Sequence, residues 1–120
     1  MSDDELIPLE KIQDMLDDNE AYIKNFCKAG ITSFTKFRDN YIEAMRNNEL
    51  RLLRDEGHRV KPVIQMLGFD TIQKEYEHAK DLLQSDAPDE RIKASIDKMR
   101  KQCDAIIEGF KKEARKLETD

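Results

Sequence analysis

The stretch LRLLRDEGHRVKPVIQMLG, Leu50 to Gly68, carries the pattern that decides the fold. Leu50, Leu53, Gly57, Val60, Ile64 and Leu67 recur in steps of three and four, which puts them on one face of an α-helix over about residues 49–67. Gly68 suits the C-terminal cap. At about 100° per residue, His58 lies roughly 140° from that stripe and so faces solvent. Arg51, Arg54, Lys61 and Gln65 fall on the same outer strip, stacked turn upon turn with His58.

The periodicity continues on both sides. Upstream, Ile23, Phe26, Gly30, Phe34, Phe37, Tyr41 and Met45 form the stripe of a long helix. Asp17, Asp18 and Asn19 offer its N-cap, and Asn47 and Asn48 its end. Leu9, Ile12 and Leu16 mark a short first helix over about residues 8–16. Downstream, Asp70 and Gln73 resemble a capping box opening a helix on Ile72, Tyr76, Ala79 and Leu83. SDAPDE, Ser85 to Glu90, reads as a loop and helix start, with Pro88 in the first turn. The last helix runs to about residue 117 on Ile92, Ile96, Met99, Cys103, Ile106, Phe110 and Leu117. Four long helices with short links predict an all-α, antiparallel four-helix bundle with a short additional N-terminal helix. A single domain is expected over residues 1–120, frayed at 1–5 and 118–120.

Composition agrees. Apolar residues make up 38% and charged residues 39% of the 120-residue chain, a balance suited to helices with well-solvated outer faces. A net charge of -5 argues against nucleic acid or an anionic membrane as a partner. No run approaches the roughly 18 apolar residues of a membrane span, and the acidic start MSDDE is unlike a signal peptide. Cys27 and Cys103 lie far apart with no metal-type spacing to a histidine, as expected of reduced thiols in a cytoplasmic protein.

The outer strip has its own chemistry. It sets three fixed cations around one imidazole with no carboxylate, in a chain where acids outnumber bases 26 to 21. A solvated face of mixed sign is the bland expectation; a uniformly basic one points to an anion or an acidic partner surface. An exposed imidazole offers a ring-nitrogen lone pair near neutral pH. Lys61, one turn on, can hold the negative charge of a phosphoryl group on that nitrogen, with Arg54 and Gln65 adding charge or hydrogen bonds. No acid is placed to make His58 a hydrolytic base, and no glycine-rich loop would hold a nucleotide. The strip can carry a phosphoryl group but has no means of taking one from ATP.

These residues resemble the histidine-containing phosphotransfer (HPt) domain of two-component phosphorelays. That family has a histidine, an apolar residue two on, lysine three on, a small residue four on and glycine ten on; here stand His58, Val60, Lys61, Pro62 and Gly68. The long helix before the motif and the helix pair after it are similar too, over about residues 19–115. The resemblance implies that His58 accepts a phosphoryl group from a receiver-domain aspartyl phosphate and passes it to another receiver aspartate. It implies Lys61 as the charge stabiliser and Arg51, Arg54, Pro62 and Gln65 as docking residues. Receivers of a hybrid sensor kinase or of response regulators would be the partners and would bring the Mg²⁺; this chain would bind no cofactor. Pro62 departs from the family, which usually has Gly, Ser or Ala there. It lies opposite the stripe, where a slight bend would display His58.

Two rival readings stand beside this one. Glu75-x-x-His78 and Asp55-x-x-His58 imitate the ligand pairs of di-iron bundles, but both histidines point away from their stripes. A non-catalytic helical adaptor, with His58 incidental, is the other. Leu52, Val63 and Phe69 fall off or beyond the stripe, either as an apolar rim to the strip or packed against the first helix.

Overall fold

The computed structural model describes residues 7–118, and among them all regular structure is helical. The helices are α1 (Leu9–Met15), α2 (Glu20–Asn47), α3 (Leu50–Leu67), α4 (Asp70–Gln84) and α5 (Asp89–Glu118). Of the expected frayed ends, 1–5 and 119–120 lie outside the described residues. Glu118 closes α5 and pairs with Lys24 and Lys28 of α2 at 3.5 and 3.3 Å. Among the described residues no helix is long and apolar enough to cross a membrane.

Caps explain where the chain turns. The Asn19 side chain accepts from the Tyr22 N–H at 3.0 Å and starts α2. Asn48 and Gly68 both take the left-handed conformation, at φ 54° and 73°, and end α2 and α3. In each case the next residue's N–H reaches back five positions, Glu49 to the Ala44 carbonyl and Phe69 to that of Ile64. Two sequence expectations fail locally. Asp70 is the first helical residue of α4, Phe69 stands at its cap, and Gln73 donates to Glu77 instead of closing a capping box. Pro88 precedes α5, and its carbonyl accepts the first N–H groups, from Arg91 and Ile92.

Each long helix has two neighbours: α2 packs on α3 and α5, and α4 packs on α3 and α5. Contacts give the directions. Gly30 meets Phe110, Arg38 pairs with Asp104 at 2.7 Å, and Tyr41 bonds Ser95, so α2 and α5 run oppositely. Ser33 with Arg59, and Asn40 with Glu56, show the same for α2 and α3.

The apolar stripes of all five helices meet in one core. Phe34 sits at its centre, edge-on to Phe69 at 5.7 Å and stacked with Phe110 at 6.3 Å. Phe69 is therefore buried, and Leu52 and Val63 are half-buried against the core. Phe69 is thereby removed from any apolar rim, while Leu52 and Val63 keep partial exposure. The core also holds a polar thread. Tyr41 shares a 2.5 Å hydrogen bond with Ser95, which donates to the buried carboxylate of Glu75 at 2.7 Å. Lys98 closes the thread from outside at 3.3 Å, so no buried charge stands alone.

Cys27 and Cys103 are both fully buried. Burial, with Glu113 nearby, pushes the Cys27 thiol up to about 11, and burial with Asp104 nearby pushes Cys103 up to about 12. Neither thiol is then a nucleophile at neutral pH. An aromatic disulfide reagent at pH 8 should label both only as fast as the protein unfolds; rapid labelling of either under native conditions contradicts this packing.

Candidate functional site

α3 presents its outer face as the helical count requires. His58, Arg51, Arg54, Lys61, Pro62 and Gln65 are all exposed, while Leu53, Gly57, Val60, Ile64 and Leu67 are buried. Among the described residues, Arg51, Arg54 and Lys61 make no ion pair, and the His58 ring makes no hydrogen bond. The imidazole is therefore reachable, and its surrounding cations are not spent on counter-ions within the chain.

The residues on either side of His58 are both anchored. Gly57 lies flat on the Tyr76 ring of α4, and a Cβ there would overlap Cζ and Cε1 of that ring. The Tyr76 hydroxyl leans on the Arg54 carbonyl at 3.5 Å, and Lys80 covers the ring at 4.8 Å from its centroid. On the other flank, Arg59 turns away from the strip toward α2. Its guanidinium donates to the Ser33 hydroxyl at 2.9 Å and carbonyl at 3.1 Å, and to both Glu56 oxygens at 3.2 and 2.8 Å. α3 is held by α4 before His58 and by α2 after it, which fixes the angle at which the imidazole is shown.

The Arg59 clamp went unseen in the sequence. Glu56 borders the apolar stripe, and its side chain is only 7% exposed. Burial opposes its charge, but hydrogen bonds from Arg59 and Asn40, with the charges of Arg59 and Lys36, outweigh that and hold the carboxyl below the ordinary glutamate value. The Glu56–Arg59 spacing of three was the available signal. It could not say that Ser33 completes the set.

Pro62 lies within the helix, which continues through it to Leu67. Lacking an N–H, it leaves the His58 carbonyl without its helical donor, on the exposed side. His78, on α4, is exposed, and among the described residues no three His, Cys, Asp or Glu side chains gather as a metal site. Compared with models of known protein families, with curated proteins and with solved structures, the chain matches none.

Two tests address the anchoring. Gly57→Ala must displace Tyr76 and should cost about 1–3 kcal/mol, as overpacking does; urea denaturation measures it, and an unchanged midpoint refutes the close contact. For Glu56, the folded-state value lies below the unfolded one. Its stabilisation is therefore fully present above the ordinary range of about 4.3 and lost as pH falls through the depressed value. Arg59→Ala should destabilise the protein by about 1–3 kcal/mol at pH 7. That deficit should narrow as pH falls through the depressed Glu56 value. A pH-independent deficit would assign the effect of Arg59 to its Ser33 bonds and packing, not to Glu56.

Proposed function

We propose that this protein is a phosphorelay intermediate that carries a phosphoryl group on His58. The observation that carries the proposal is an exposed imidazole on an outward helix face, beside Arg54 and Lys61 without counter-ions, between two residues anchored to neighbouring helices. A ring nitrogen attacks the phosphorus of an aspartyl phosphate on a receiver domain, in line with the leaving carboxylate. The N–P bond forms as the bond from phosphorus to the aspartyl oxygen breaks, and the carboxylate departs as an anion. Attack by a second receiver's carboxylate reverses these bond changes and frees the imidazole.

The division of labour follows from what each side offers. Lys61 holds charge on the phosphoryl oxygens from one turn away, and Arg51, Arg54, Gln65 and Pro62 form the surface against which the receiver docks. The receiver, of a hybrid sensor kinase or a response regulator, supplies Mg²⁺ and its own acidic pocket. No kinase activity toward ATP and no cofactor is assigned to this chain. The ring of neighbours α2–α3–α4–α5, with α2 opposed to both α3 and α5, supports reading the fold as the antiparallel four-helix bundle expected of such a carrier. A cytoplasmic location fits partners of this class.

Incubation with a phosphorylated receiver domain should yield acid-labile, alkali-stable phosphate on this protein, and His58→Gln should abolish it. Lys61→Ala should slow transfer or shorten the phosphohistidine lifetime by about tenfold, the loss of one charge-assisted contact, with the thermal midpoint unchanged. Failure of transfer from several receivers would favour a non-catalytic helical adaptor instead.

A further inference from the structure

A second basic surface lies on the other side of α4, independent of His58. Neighbouring residues of α4 diverge: Tyr76 faces Gly57 of α3, whereas Glu75 faces Ser95 of α5. Along the α4–α5 seam runs an open groove of about 540 Å³. Lys74 and His78 line one wall, Arg91 and Lys98 the other, and Ala94 and Ser95 give small side chains between them. Its one carboxylate, Glu75, is 5% exposed and already satisfied by Ser95 at 2.7 Å and Lys98 at 3.3 Å.

Of the three fixed cations here, Lys98 pairs with Glu75, whereas Lys74 and Arg91 have no counter-ion among the described residues. Lys80, Arg100, Lys111 and Lys116 each pair with an acid three residues earlier. Lys74 has Asp70 one turn back and Glu77 one turn on; it pairs with neither, and Glu77 is taken by Lys80 and Gln73. Arg91 has Ala94 and Ser95 one turn ahead and Ala87 and Pro88 one turn behind, none of them an acid. Among the described residues neither Lys74 nor Arg91 forms an ion pair, and both are exposed.

From this geometry we infer that the α4–α5 groove binds a short acidic segment of a protein partner. The basic side chains are strung along the seam: Lys74 and His78 stand about 6 Å apart along α4, and Arg91 and Lys98 about 10 Å apart along α5, at 1.5 Å per residue. That spread suits successive carboxylates of a chain lying in the groove. It does not suit a single phosphate, which needs donors converging on one point. Small side chains at 94 and 95 leave room for a peptide backbone between the two basic walls.

The test is fluorescence anisotropy of a labelled peptide of alternating Asp and Glu, against a Ser/Gly peptide of equal length, with the full chain at low salt. The acidic peptide should bind, the neutral one should not, and Lys74→Glu with Arg91→Glu should weaken binding by about tenfold or more. Lys61→Glu and His58→Gln should leave it within about twofold, since those residues lie on another face. Equal binding of both peptides, or loss with Lys61→Glu and none with the groove pair, overturns the inference. Displacement of the peptide by equimolar inorganic pyrophosphate would also overturn it, in favour of a small-anion site. Transfer to His58 is scored separately on the groove variants, so either result stands without the other.

Discussion

Phe34 is the contact on which the arrangement turns. One ring on α2 touches Phe69 at the α3–α4 corner and Phe110 on α5, so three separate parts of the chain meet at a single buried point. Helices of these lengths gain most of their stability from such packing and little from propensity. The junction also sets register. With Phe34 against Phe110, Gly30 is brought under the same ring, Arg38 reaches Asp104 and Tyr41 reaches Ser95. Ser33, the residue beside Phe34, is then held where its hydroxyl and carbonyl receive Arg59. Burial of one aromatic ring thus reaches the turn that displays His58.

α4 is the wall shared by two surfaces. Tyr76 supports the His58 face through Gly57, and Glu75 forms part of the floor of the α4–α5 groove, although the two residues are adjacent. About 100° of helical rotation separates them, enough to send one toward α3 and the next toward α5. A phosphoryl-carrying face and an acidic-segment groove, as proposed, would then be borne by one rigid support without overlapping.

Charge is distributed with the same economy. Pairs one turn apart, such as Lys80 with Glu77 and Arg100 with Asp97, neutralise much of the surface at little gain in stability, because exposed ion pairs are individually weak. Among the unpaired cations, Arg51, Arg54 and Lys61 lie together on α3, and Lys74 and Arg91 line the α4–α5 seam, while others, among them Lys36, Arg46 and Lys101, are scattered. In a protein of net charge -5, two local positive fields of this kind can steer encounter with acidic surfaces.

The 3–4 spacing of apolar residues determined the helices, the inward face of each and the outward position of His58, because a helix maps sequence interval directly onto angle. Asn19, Asn48 and Gly68 were legible as helix ends for an equally local reason, the short-range chemistry of caps. Tertiary structure alone decided which outward charges stay solvated. Glu56 and Glu75 are both buried, because Arg59, itself held by Ser33 of α2, satisfies the first, and Ser95 with Lys98 of α5 satisfies the second. It also decided that Gly57 is a contact surface for Tyr76 and that Lys74 and Arg91 share a groove. Such pairings depend on the register of one helix against another, which is set by core volume and is not written in any single helix's own period.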